Sequence, residues 1–172
     1  MTYLARSLAL MAVLGLGACT DAGRFGKNES GAGSGAGTGS GVVAGSASDP
    51  TSPLYFQQTI GDRVLFTVDQ HTLSPEAKQV LDGQASWLGT NSDFSAVIEG
   101  HADEQGTREY NLALGARRAN AVREYLMSRG LPGSRLKTVS YGKERPISVC
   151  SDESCYSQNR RAVTVLRSGL SG

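Results

Sequence analysis

From Gly31 to Gly41 glycine alternates with Ala, Ser or Thr, and this run divides the chain into a part that can bury a core and a part that cannot. Between Thr20 and Pro53 there is almost nothing apolar, so the entropy lost on ordering these residues has no compensation, and the stretch reads as a flexible tether. Glycine at every second position excludes collagen, which needs one at every third. No strand precedes the run, which excludes a phosphate-binding loop. About 35 residues of such coil have a root-mean-square reach of roughly 30 to 35 Å and an extended limit of roughly 115 Å. Folding is therefore confined to residues 54–172, enough for one ordinary domain and too little for a large multidomain enzyme.

Ahead of the tether, Arg6 supplies a positive end and Leu8 to Leu16 a short apolar stretch, the layout of an export signal and too short to span a bilayer as a stable helix. It ends in Leu16-Gly17-Ala18-Cys19, which resembles the lipobox of bacterial lipoproteins, where the cysteine is acylated and becomes the new N-terminus. The resulting division is a signal peptide over 1–18, a lipidated N-terminus and linker over 19–53, and a domain over 54–172. Each buried acyl CH₂ contributes about 0.8 kcal/mol, so the three chains of a lipoprotein, palmitate among them, anchor it permanently. Thr20, where an acid would signal retention, points by the same resemblance to the outer membrane, with the domain facing the periplasm.

From Leu54 on, strands and helices alternate. Val64 to Val68 is short, apolar and β-branched, as a strand requires. Ser74-Pro75-Glu76 caps a helix on which Ala77, Val80, Leu81, Ala85 and Leu88 recur at helical spacing. Phe94 to Ala102 reads as a strand with Ala96, Ile98, Gly100 and Ala102 on one face, small and apolar enough for helices to pack there. Thr107 can cap a long helix running to Ser128 and closed by Gly130 and Pro132, with Leu112, Ala116, Ala119 and Leu126 as its buried stripe. Leu136 to Tyr141 and Ala162 to Arg167 are further strands, separated by a loop and a short helix near Ser151 to Asn159. The order β-α-β-α-β-(α)-β defines an α/β sandwich with a mixed sheet and helices mainly on one face.

Net charge is +1, so no sequence-wide basic field points to nucleic acid. The charge is segregated instead: Asp69 to Glu104 holds seven acids and one base, and Arg117 to Arg145 eight bases and two acids. The densest polar run, Gly100 to Asn111, crosses from a strand end into a helix, where sites tend to sit. Asn111 and Arg118 are seven residues apart on one helical stripe with Gly115 between them, so Asp103 and Arg118 are expected to flank a small notch floored by Gly115. An acid and an arginine so placed suit an amino-acid zwitterion, the acid taking the ammonium and the arginine the carboxylate.

Asp103-x-x-Gly106-Thr107-x-Glu109-Tyr110-Asn111-x-x-Leu114-Gly115-x-x-Arg118-Ala119 resembles the signature of the OmpA-like peptidoglycan-binding domain family. Ser140 to Pro146 and Asn159 to Val163 are similar to its lipid-anchored branch, and the likeness spans about Val64 to Leu166. The resemblance implies noncovalent binding of the diaminopimelate of peptidoglycan stem peptides, with Asp103 on the ammonium and Arg118 on the carboxylate. It also implies contacts from Asp69, Thr107, Tyr110 and Asn111, no cofactor, and membership of the Tol-Pal envelope system with TolB as a partner competing for the same surface. Val68 replaces an aromatic residue common in the family and Ala102 a Thr or Cys.

Two other readings are set against this one. A peptidoglycan-modifying enzyme would cast Glu99, Asp103 and Glu104 as acid and base, but neighbouring turn residues do not face each other across a cleft as a glycosidase requires. A purely structural TolB-binding protein would make Asp103 and Arg118 dispensable for wall binding. Arg117 reads as solvent-facing, Arg160 and Arg161 as supports of the fold, and His101 as a strand-end hydrogen-bonder. His71 and His101 lack metal-ligand spacing, so no metal site is expected. Cys150 and Cys155 remain as an even pair once Cys19 is acylated, and in an oxidising compartment they are expected to form a disulfide.

Overall fold

In a computed structural model the described residues are 43–169; the signal segment, Cys19 and most of the tether lie outside them. Helix α1 (Pro53–Tyr55) runs into a wider π-type turn (Phe56–Gly61), followed by β1 (Arg63–Leu65), α2 (Pro75–Thr90), β2 (Phe94–His101), α3 (Arg108–Ser128), a 3₁₀ turn (Gly133–Arg135), β3 (Leu136–Gly142), α4 (Glu153–Asn159) and β4 (Arg161–Ser168). The four strands form one mixed sheet in the order β1-β4-β2-β3. β2 and β3 are parallel, and β4 lies antiparallel between β1 and β2.

The face of β2 expected to meet helices does so: Ala96 and Ile98 are buried with Leu81, Leu88, Ala119, Val122, Leu126 and Leu136. Ser74 and Thr107 each accept a hydrogen bond from the backbone N–H three residues on, closing the N-termini of α2 and α3. Gln84, fully buried, is satisfied at both ends: its amide donates to the Gly61 carbonyl (2.7 Å), and its oxygen accepts from the Thr164 hydroxyl (2.8 Å).

Several expectations are corrected. Packing begins before residue 54: the Trp87 indole donates to the Pro50 carbonyl (2.7 Å), and Ser52 is buried. The helical segment 53–61, unread in the sequence, places Phe56 against Trp87 with ring centroids 5.0 Å apart. The first strand stops at Leu65 rather than Val68 because Thr67 and Gln70 turn their carbonyls inward to Arg118. Leu112 is exposed, and Leu114 takes its place in the stripe of α3.

Gly115 does not floor a cavity. A Cβ there would lie 2.4 Å from Ser140 Oγ and 2.8 Å from the Gly100 carbonyl oxygen, and one on Gly100 would lie 1.9 Å from the Gly115 oxygen. The two glycines let α3 touch the sheet backbone to backbone, which fixes the start of α3 against the end of β2.

Candidate functional site

The end of β2 and the start of α3 are joined by a turn, Ala102 to Thr107, whose conformation is held by its own side chains. Asp103 accepts from the Gln105 N–H (3.2 Å), Gly106 takes φ +88°, and Asn111, buried on α3, donates to the Gln105 carbonyl (2.6 Å). Lys143, beyond β3, donates to the Glu104 and Gly106 carbonyls (3.3 and 2.7 Å). Opposite this turn lies the loop after β1, where Asp69 has a left-handed backbone, φ 56°. That conformation is uncommon for a residue with a side chain and tolerated best by Asp and Asn.

Between the loop and the turn is a cavity of about 280 Å³ lined by Val68, Asp69, Asp103, Gln105, Gly106, Tyr110, Asn111 and Leu114. Of the residues singled out in the sequence, Asp69, Asp103, Tyr110 and Asn111 meet here. The Tyr110 hydroxyl donates to the Asp69 carboxylate, and this bond raises the phenol pKa above its ordinary value. Thr107 is outside the lining and acts as the cap of α3. Val68 is half exposed in the lining, and Ala102 is buried and outside it.

Arg118 is also outside the lining. It is fully buried, with Nε on the Gln70 carbonyl (2.8 Å), Nη1 on the His101 carbonyl (2.8 Å) and Nη2 on the Thr67 carbonyl (3.1 Å). Burial pushes its pKa down to about 10, opposed chiefly by the negative charge of Asp103 and also of Asp69. The guanidinium therefore ties the loop carrying Asp69 to the strand leading to Asp103. A guanidinium has five N–H groups, so three carbonyl bonds leave two. The direct clamp, with Asp103 and Arg118 on either side of a Gly115 notch, is replaced by two carboxylates in the cavity wall and a buried arginine behind it.

The partner that Asp103 does have is Arg160. Nη1 of Arg160 lies 3.2 Å from Asp103 Oδ2, and both side chains are buried. The sequence reading made Arg160 a fold support without linking it to Asp103. The signal available was an arginine at the junction of α4 and β4, next to β2, whose end leads into the turn carrying Asp103. Arg161 bonds to the Asn159 and Arg145 carbonyls (3.3 and 3.1 Å). His101 is not the strand-end hydrogen-bonder expected: its ring is buried, neither ring nitrogen has a partner among the described residues, and Tyr141 packs on it at 5.5 Å. Arg117 is exposed and lies 5.9 Å from the Tyr110 ring.

Cys150 and Cys155 form a disulfide with a Cα–Cα distance of 5.7 Å. Asp152 brings a carboxylate near the two sulfurs, but the sulfurs are committed to each other and Asp152 caps α4.

Residues 65–160 match the OmpA family, and the chain belongs to that family. It is 50% identical over 159 residues to the peptidoglycan-associated lipoprotein of Rhizobium meliloti, covering 92% of this chain and 85% of that protein. The protein of the same name from Agrobacterium fabrum is 57% identical over 123 residues, covering 72% and 69%. These relatives place the chain in the peptidoglycan-associated lipoprotein branch. Among solved structures, the peptidoglycan-associated lipoprotein of Burkholderia pseudomallei superposes with a TM-score of 0.63 at 37% identity, over 70% of this chain and 98% of that one. The C-terminal domain of Helicobacter pylori MotB, at 18% identity and TM-score 0.59, over 63% of this chain and 86% of that one, shares the fold.

Proposed function

We propose that this chain is a non-catalytic outer-membrane lipoprotein that holds peptidoglycan by the diaminopimelate of its stem peptides. The observation that carries the reading is the pairing of Asp69 and Asp103 in one cavity wall, with the buried Arg118 behind both. An ammonium entering the cavity meets two carboxylates, and each charge-assisted hydrogen bond contributes about 1.5 to 3 kcal/mol. The neighbouring carboxylate of diaminopimelate is drawn to the positive charge of Arg118 behind the two acids. Tyr110 and Asn111 shape the opening, and Thr107 holds α3 in place. Asp69 and Asp103 line one wall of the cavity rather than facing each other across a cleft as a glycosidase requires, which supports binding without cleavage.

Acylation at Cys19 fixes the protein to the outer membrane, and the tether gives the domain its reach to the wall. TolB and other Tol-Pal proteins are taken as partners on family membership, with TolB competing for the Asp103 face. Purified sacculi test the reading: the protein should co-sediment with diaminopimelate-containing walls and release no soluble fragments. Failure to sediment, or release of fragments, contradicts it. Cys19→Ser should abolish acyl labelling, and persistent acylation would remove the anchor from the account.

A further inference from the structure

Arg160 is one positive charge divided between two carboxylates. Its Nη1 lies 3.2 Å from both Asp103 Oδ2 and Glu153 Oε2, its Nη2 bonds the other Glu153 oxygen, and its Nε donates to the Phe66 carbonyl at 3.1 Å. Asp103 is in the cavity, whereas Glu153 is not. Glu153 is the first residue of α4, a helix of seven residues, a length that is marginal in water without outside support. The Cys150–Cys155 disulfide supplies that support, since its two sulfurs bracket Asp152 and Glu153.

With Glu153 in place the trio carries −1, and Asp103 presents its full attraction to an ammonium in the cavity. With Glu153 withdrawn, Arg160 and Asp103 form a neutral pair. Arg160 and Asp103 are buried, whereas the Glu153 side chain is 65% exposed, so water screens part of the difference and the effect is modest.

We propose that Arg160 is a positioning residue for Asp103, that Glu153 sets how much of the Arg160 charge Asp103 feels, and that the disulfide, by fixing Glu153, makes ammonium binding in the cavity sensitive to thiol reductants. The inference rests on the diaminopimelate reading above. The hydrogen bond from Arg160 holds the Glu153 carboxyl below the usual carboxylate range, and Glu153 is the largest influence raising the Arg160 pKa. The two are therefore charged together at neutral pH. A dithiol supplies the two electrons needed: it attacks the disulfide through a mixed disulfide and leaves as its own cyclic disulfide, and Cys150 and Cys155 become thiols.

The test uses the full lipoprotein in detergent, titrated with a diaminopimelate stem peptide before and after dithiothreitol. Reduction and Glu153→Gln should each weaken binding roughly 2- to 10-fold, and the two together no more than either alone, because both remove the same contact. Glu153→Asp should keep most of the affinity. A peptide acetylated on the diaminopimelate ammonium should show no redox effect. Equal affinity before and after reduction would overturn the proposal, as would equal weakening for the acetylated peptide, which would mean that the loop merely disorders the site. The side-chain ¹⁵N resonances of Arg160 should also shift on reduction of the free protein. Unmoved resonances refute the coupling whether or not the peptide binds, which separates this failure from failure of the diaminopimelate reading.

Discussion

Gly115→Ala is a substitution whose sign distinguishes local propensity from tertiary packing. Alanine in a helix interior is favoured over glycine by about 1 kcal/mol, and Gly115 lies in the middle of α3, so the helix alone predicts stabilisation. The structure predicts the reverse. The new Cβ meets Ser140 Oγ at 2.4 Å and the Gly100 carbonyl oxygen at 2.8 Å. Rotating Ser140 away relieves the first contact but breaks its hydrogen bond to the Leu112 carbonyl, a loss of about 1 kcal/mol. The second contact is to backbone in the centre of the sheet and yields only if the helix lifts. Overpacking of this kind costs about 1 to 3 kcal/mol, so the net effect is a destabilisation of about 1 to 3 kcal/mol. Gly100→Ala should be worse, because its Cβ falls 1.9 Å from the Gly115 carbonyl oxygen, with backbone on both sides. Gly89→Ala is the control: it lies in α2 with nothing within 4 Å of its Cβ and should be neutral or stabilising by up to about 1 kcal/mol. Urea unfolding followed by Trp87, which is buried between Phe56 and Phe94, measures all three. A Gly115→Ala protein as stable as wild type would refute the close approach of α3 to the sheet, and with it the positioning of Asn111 and Tyr110 against Asp103.

Two further outcomes follow from buried groups. Desolvation, together with the charges of Arg161 and Arg145, pushes the His101 pKa down from 6.5 to about 4; Tyr141 stacks on the ring, and Glu99 lies 3.8 Å from its Nε2. Below pH 6.5 the unfolded chain takes up a proton that the folded one refuses, so this stability is complete above 6.5 and is lost towards about 4, amounting to about 3 kcal/mol. His101→Phe should flatten the difference in urea stability between pH 4.5 and 7.5, and an unchanged slope would contradict the assignment. Arg118→Met leaves the Thr67, Gln70 and His101 carbonyls without their donor and should cost about 3 to 5 kcal/mol in the same assay. A loss under about 0.5 kcal/mol would mean that Arg118 does not hold the Asp69 loop.

The order of elements and the helix-facing side of β2 were legible because burial imposes periods of 2 and 3.6 on the sequence, and the caps at Ser74 and Thr107 carry their own local chemistry. The segment 53–61 was not, since its one buried aromatic, Phe56, gives no period to read. The choice between Leu112 and Leu114 on α3 was lost because Arg118 and Asn111, both polar, occupy the core stripe and blur its edge. At the site, Asp103, Asp69, Tyr110 and Asn111 were named, and the structure brings them together. The Gly115 notch is absent because a glycine serving a backbone approach looks in sequence like a cavity floor, and the burial of Arg118 against three carbonyls was hidden because sequence does not show which backbone groups turn inward. Arg160 was hidden because its partner Asp103 is 57 residues away.

The central claim is that an ammonium is held by Asp103 in the cavity between the Asp69 loop and the Ala102 to Thr107 turn. Calorimetric titration of the full lipoprotein and its Asp103→Asn variant with a stem peptide containing diaminopimelate measures it directly. Removing one charge-assisted hydrogen bond of about 1.5 to 3 kcal/mol lowers affinity by about 10- to 150-fold, and acetylating the ammonium of the peptide should add little to the Asp103→Asn defect because both delete one interaction. Equal affinities of wild type and Asp103→Asn, or full additivity of the variant with acetylation, would contradict the account.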